Sequence, residues 1–429
     1  MLKNKKIVLI PISGFLILIS IGAILLVLPI SNLRPIAYID AFFVSASSVC
    51  TTGLSTVVLS EQFSFWGQLV ILTITQIGAL GIVIFIAFLF ILLNKKMNFS
   101  SVVFFSENIN NDNYSVFQKK IKQILRYTFI IEGLGAWLLS FRFIPLYGLK
   151  KGLWYSIFHS VMAFCNAGFD LIGTNSLIAF KDDTYVITIF IGLILLGGLG
   201  FFVLEDLLNC LTHGKPRKIS FQSKIVIVAT LGITIFAILT MKLLEPTMSI
   251  KEAIFASVTL RTAGFYIRDF TQYSLPIQII SMLLMFIGAA PGSTSGGIKL
   301  VTITIILLSL KATLSSEDNV NIFYKRISDK TVKMAYTIVT LSAFVVLTGI
   351  ILLSKTDNFN LTETAFQCIS AFSDTGIPFF DNALLSSAGK TITIILMFLG
   401  RIGPLSFFTL MSRKSKDSEI EFVEGKLIL

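Results

Sequence analysis

DAFFVSASSVCTTGLS, Asp40–Ser55, begins with a carboxylate and runs through about ten apolar and small residues. It then turns polar at Cys50-Thr51-Thr52-Gly53. A helix needs ~20 apolar residues to cross a bilayer, and this run has about half of that. Its hydroxyl-rich end would leave backbone groups unsatisfied in bare lipid, so such a stretch survives at membrane depth only where it lines a cavity. Read alone, it is a re-entrant segment.

The pattern recurs three times. YSIFHSVMAFCNAGFD (155–170) carries Cys165, Asn166, Ala167 and Gly168. EAIFASVTLRTAGFY (252–266) carries Arg261, Thr262, Ala263 and Gly264, and TAFQCISAFSDTGIP (364–378) carries Ser373, Asp374, Thr375 and Gly376. Two residues before each glycine the side chain is polar (Thr51, Asn166, Thr262, Asp374), and one before it is small (Thr52, Ala167, Ala263, Thr375). A second register follows about 24 to 29 residues later in small-residue clusters at 78–81, 197–200, 288–291 and 400–403. Glycines that merely pack helices do not require a half-length apolar run before each of them.

The bulk composition agrees. Of 429 residues, 54% are hydrophobic and only 14% charged, with 39 Phe and a mean hydropathy of +0.84. Too little charge is present to cover a soluble surface, so the chain is an integral membrane protein. The net charge of +11 does not point to nucleic acid, because the basic residues sit in clusters between apolar runs. With no CxxC pair, and His159 and His213 the only histidines, a transition-metal site is not expected. Cys50, Cys165, Cys210 and Cys368 read as free thiols, and nothing resembles an enzyme's catalytic constellation.

Apolar runs near 7–30, 66–93, 127–147, 184–211, 223–244, 275–310, 334–354 and 388–411 predict an all-α protein. It has four tandem helix–pore loop–helix repeats, making eight transmembrane helices plus four re-entrant pore helices around one central pore. The first run is twice a signal-peptide core and reads as a spanning helix. The repeats divide as 1–94, 95–211, 212–311 and 312–412, with a tail at 413–429 and a polar, partly helical or mobile loop at 97–118. Only the third copy is expected to have a broken second helix, at 288–297. Most of the 35 Lys and Arg fall in the termini and between copies. The termini are therefore cytoplasmic, and the half-length segments enter from outside.

The physical reading is ion dehydration. A short helix with its C-terminal end inward places about half a negative charge at the pore centre. The extended residues beyond it expose carbonyls that can replace a cation's water shell.

At these motifs the chain resembles the Trk/Ktr/HKT superfamily of potassium transporters over essentially its whole length. VCTTGL, CNAGFD, RTAGF and SDTG look like its four filter segments; MFIGAAPGSTSGGIK (285–299) and MFLGRIGPLSF (397–407) look like its inner-helix motifs. Eight spans and the apolar tail Phe422-Val423 … Leu427-Ile428-Leu429 resemble the Ktr membrane subunit most. The resemblance implies potassium uptake across the cell membrane, a homodimer and a cytoplasmic nucleotide-binding regulatory ring. No cofactor is expected in the chain, and sodium enters only as an activating or coupling ion. It assigns a potassium-binding filter to Val49, Cys50, Thr51, Thr52 and Gly53, with Cys165 to Gly168, Arg261 to Gly264 and Ser373 to Gly376. Serine in place of Gly53 would leave sodium permeation more open.

It further implies a gating loop at Gly288, Pro291, Gly292, Ser293, Thr294, Ser295, Gly296 and Gly297, with Arg401 as a barrier or latch. Two readings stand for Lys299, a pore-facing charge or a side chain that snorkels to the interface. Asp374 adds negative field or balances Arg261, which braces the filter from behind. Glu132 reads as a helix contact and His159 as a neutral packing residue. The rival function is a secondary transporter of another cation or small solute, whose mark is helices broken at the midplane.

Overall fold

A computed structural model describes residues 5–81, 84, 114–173, 175–212 and 219–411. The tail at 413–429, residues 85–93 of the second apolar run and nearly all of the 97–118 loop lie outside the described residues. Among the described residues, four helices are long and apolar enough to cross a membrane, Leu9–Val27, Gln118–Tyr147, Phe221–Leu244 and Asp329–Thr356, and a fifth if the bent pair Thr184–Leu199 and Phe201–Cys210 is one span. Only 22–33% of the apolar windows of the four is buried. Rows such as Leu231, Ile235, Phe236 and Leu239 face outward, and lipid is the solvent that suits them.

The half-length segments form short helices: Tyr38–Cys50, Leu149–Phe164, Ile250–Thr259 and Leu361–Phe372, of 13, 16, 10 and 12 residues. The third starts where Ser249 accepts the Glu252 N–H, and the fourth where Asn360 and Glu363 form a capping box. Every one stops for the same reason: the polar residue two before the glycine turns left-handed. The φ values are 60° at Thr51, 52° at Asn166, 74° at Thr262 and 53° at Asp374.

In three copies the chain then folds back in a Schellman turn. The N–H groups of Thr52, Ala167 and Thr375 donate to Ser47, Met162 and Ser370 carbonyls at 2.8, 2.9 and 2.9 Å. The third copy uses the shorter Ala263 to Thr259 bond (2.9 Å). Asn and Asp tolerate this conformation; β-branched Thr does not, at about 1–3 kcal/mol. Bonds from the Thr51 hydroxyl to the Cys50 and Thr294 carbonyls (2.6 and 3.1 Å) offset part of that.

The second helices correct one expectation. A break is not confined to the third copy. Phe65–Leu80 ends at Gly81 (φ 85°), Thr184–Leu199 at Gly200 (87°) and Ser387–Ile402 at Gly403 (87°), all in backbone that favours glycine. The chain resumes at Phe201–Thr212 and Pro404–Met411, and the first of these pairs is bent by 106°. Hydropathy stays high across these single-residue breaks, so composition does not register them. In the third copy Leu275–Phe286 and Leu300–Leu314 are separated by the polar loop, as expected.

Gly78, Gly197 and Gly400 seat these helices directly on the short-helix ends. A Cβ there would overlap the carbonyls of Val49, Phe164 and Phe372, each four residues before the glycine of its own repeat. The core runs within the copies and across from one to the next. Phe43, Val49 and Phe372 share one cluster; Phe158, Phe190 and Phe265 share another. Trp154 Nε1 donates to Gln68 Oε1 (2.7 Å), joining the second copy to the first. Lys390 Nζ pairs with Asp40 Oδ1 at 2.7 Å, with side chains only 12% and 18% exposed, joining the fourth copy to the first. Double-mutant analysis of Asp40→Asn and Lys390→Met by thermal unfolding in detergent should give a coupling of about 1–3 kcal/mol. Strict additivity would show that the pair does not hold the two copies together.

Candidate ion-permeation site

The four glycines meet on one axis. A Cβ on Gly53 would strike Ala167 O and Gly168; on Gly168, it would strike Gly264 and Ala263 O. On Gly264 it would strike Thr375 O and Gly168 Cα, and on Gly376, Thr52 O and Gly53 Cα. The contacts pass from each copy to the next and close from the fourth to the first. Positive φ values of 96°, 65°, 82° and 78° add a second reason why only glycine fits. Carbonyls of the small residues one before each glycine therefore crowd the same narrow passage.

On one side of this ring lies a cavity of about 450 Å³, lined by all four glycines and by Asp170, Asp269 and Asp381. These carboxylates escape a reading centred on the glycines. Their signal is position: they stand two, five and five residues beyond Gly168, Gly264 and Gly376. Each holds its loop by accepting backbone N–H groups: Ile172 and Gly173 on Asp170 (3.0 and 3.2 Å), Thr271 on Asp269 (2.9 Å) and Ala383 on Asp381 (2.9 Å). Three carboxylates around one cavity concentrate cations there.

On the other side the 288–297 loop crosses beneath the ring. Gly288 N–H donates to Ile298 O (2.8 Å), Ala290 N–H to Gly198 O (3.1 Å) and Phe201 N–H to Gly292 O (3.0 Å). Ser293 Oγ bonds Ala290 O and Ser295 Oγ, and Pro291 O lies against Gly200. Thr294, buried, is the hub. Its hydroxyl donates to the Phe164 and Gly197 carbonyls (3.2 and 3.3 Å). Its carbonyl accepts from Thr51 Oγ1 and from the Arg401 guanidinium, which also donates to Gly78 O and Ala79 O. Arg401 thus ties the loop to the first copy's second helix. Lys299 resolves toward the loop: its Nζ donates to Ser295 O at 2.6 Å.

Asp374 does not balance Arg261. Its Oδ1 accepts from Thr52 Oγ1 (2.7 Å), and a Cβ on Gly296 would overlap its carboxylate, while Gly297 abuts Ser373. Arg261 makes no ion pair among the described residues; it lines a small cavity with Ile194, Leu195 and Ala289, away from the axis. Asp374 Oδ2, Thr262 Oγ1 and the Asn166 amide, all at the left-handed position, are buried without hydrogen-bond partners among the described residues. Glu132 sits on a helix contact, accepting from Gln76 Nε2 at 2.8 Å.

Short helices with their carboxyl ends converging on one axis, inside a coat of apolar helices, define a pore-loop membrane protein. A family model described as TrkH, cation transport protein, matches residues 8–421. The Ktr system potassium uptake protein B of Bacillus subtilis is 35% identical over 425 residues, covering 96% of this chain and 94% of that protein. The potassium/sodium uptake protein NtpJ of Enterococcus hirae is 36% identical over 437 residues, with 97% and 96% covered. The crystal structure of the potassium transporter TrkH from Vibrio parahaemolyticus superposes with a TM-score of 0.74 at 18% identity, over 96% of this chain and 85% of that one. The chain belongs to the TrkH/Ktr cation transport family. It is a multi-pass membrane protein whose relatives are ion transporters, not enzymes.

Burial pushes the Asp170 carboxyl up to about 6, against its two backbone N–H bonds, which act to lower it. Acidifying the cavity's side through that value should neutralise Asp170 and raise the half-saturating cation concentration for uptake by roughly twofold to fivefold. Asp170→Asn should show the weaker capture at all pH values and lose that pH step. A step that survives the substitution would place it elsewhere.

Proposed function

We propose that this protein takes up potassium across the cell membrane through the ring at Gly53, Gly168, Gly264 and Gly376. The observation that carries the reading is that each glycine packs against backbone of the next copy, so that four sets of carbonyls share one axis. Backbone oxygens at fixed spacing replace a cation's hydration, and a potassium ion is cheaper to strip of water than sodium. The uptake names of the Bacillus and Enterococcus relatives support the choice of ion.

In this reading the residues from Val49 to Gly53, and their counterparts in the other three copies, form the filter. The carboxylate-lined cavity faces outside, and the termini are cytoplasmic. Gly288–Gly297 is the gate. It obstructs flow while Thr294 is bonded to Thr51 and Arg401, and opens when a cytoplasmic nucleotide-binding regulatory ring moves the second helices. The glycine breaks supply hinges for that movement. Function is as a homodimer with one pore per chain, stimulated by sodium.

Coupled transport of another cation or a small solute is the second reading, favoured by the breaks at Gly81, Gly200 and Gly403. The fourfold closure on one axis counts against it, since such transporters bind substrate between two halves.

Expression with a regulatory partner in cells lacking potassium uptake tests the proposal. Growth at limiting potassium should be restored; absence of rescue with verified membrane insertion would refute it. Deleting Gly292–Gly296 should raise potassium flux several-fold without the partner. A deletion variant that still needs the partner for flux would move the gate to another place.

A further inference from the structure

Each of the four segments is tied to its own short helix by one side chain. In the first, the Gly53 N–H donates to Ser47 Oγ at 3.0 Å. In the third, Thr259 Oγ1 donates to Phe265 O, and in the fourth, Ser370 Oγ donates to Ile377 O at 2.8 Å. The second uses an imidazole: the Leu171 N–H donates to His159 Nε2 at 3.2 Å. All four side chains are fully buried, at 0% exposure.

The geometry fixes the histidine's chemical form. Nδ1 lies 2.7 Å from Tyr155 O, and a carbonyl can only accept, so Nδ1 carries the proton. Nε2 therefore presents its lone pair to Leu171, and the ring is neutral. Phe143, Tyr155, Phe158 and Phe190 surround it edge-on, at centroid distances of 5.6, 5.8, 5.8 and 6.3 Å. A histidine that only filled space would need none of this polar alignment.

The reach of the tie also differs. The hydroxyls grip the glycine itself or the residue after it. His159 grips three residues beyond Gly168, so it restrains a longer piece that includes the cavity-lining Asp170. The second segment lacks a hydroxyl at the place of Ser47 and Ser370; Met162 stands there. One long tie replaces one short one.

We propose that His159 is a positioning residue for ion selectivity. Its neutral Nε2 holds the second segment at the radius where the Gly168 region suits a dehydrated potassium ion rather than the smaller sodium ion. The inference rests on reading these segments as a potassium filter. Without the acceptor, Leu171 N–H is left buried and unpaired, and the segment relaxes to find another partner.

Potassium and sodium fluxes into proteoliposomes of the purified full chain together with its regulatory partner, with wild type, His159→Gln and His159→Leu side by side, test it. Glutamine can place an oxygen near the Nε2 position; leucine fills space without an acceptor. The potassium-to-sodium ratio should stay within about twofold of wild type in His159→Gln and fall roughly threefold to tenfold in His159→Leu. Equal ratios in all three proteins, or equal losses in both variants, would overturn the role of the acceptor. If His159→Leu does not reach a folded state, Ser370→Ala carries the test, because it removes the corresponding tie from the fourth segment. Its ratio should also fall, and an unchanged ratio would overturn the idea that these ties set selectivity. Wild-type protein that moves neither ion selectively would instead refute the potassium reading itself.

Discussion

Everything in this protein depends on bringing four stretches of bare backbone to one axis inside a bilayer. Lipid cannot satisfy those carbonyls, so the surrounding structure must isolate them while leaving their oxygens free. The solution is local and repeated. A half-length helix ends in a left-handed residue, the chain reverses, and a glycine lets it pass its neighbour at a distance no side chain would allow. Thr51 and Thr262 adopt that conformation against their own preference, and the Thr51 strain is partly offset by its bond to Thr294.

In the proposed reading the ring selects the ion and the 288–297 loop stops it, and the two are joined by hydrogen bonds and close packing. Thr51 belongs to the ring and touches the loop through the Thr294 carbonyl. Arg401, on the fourth copy's second helix, holds the same carbonyl and the first copy's Gly78 and Ala79. In the proposed reading a fixed cation beneath the filter repels potassium as well as latching the loop. Moving the second helices would withdraw the charge and release Thr294 together.

Much of this was legible in residues alone, because the pattern occurs four times. The half-length apolar run and its terminal glycine are visible in DAFFVSASSVCTTGLS once its three counterparts are aligned. The polar loop at 288–297 betrays itself by composition. The breaks at Gly81, Gly200 and Gly403 do not, since one glycine in left-handed backbone leaves the hydropathy of its surroundings intact. Asp170, Asp269 and Asp381 look like ordinary loop aspartates until folding gathers them around one cavity. Lys299 stays open between facing the pore and snorkelling to the interface, because a flexible chain reaches both, and only the fold shows its Nζ on Ser295 O. His159 reads as packing from its apolar neighbours, and only the direction of two hydrogen bonds reveals its neutral, accepting form.

The most direct measurement is anomalous diffraction from crystals of the protein soaked in rubidium, a heavier stand-in for potassium. The account predicts rubidium on the axis between Gly53, Gly168, Gly264 and Gly376, surrounded by backbone oxygens from all four copies. Rubidium confined to the carboxylates of Asp170, Asp269 and Asp381, with none on that axis, would contradict it.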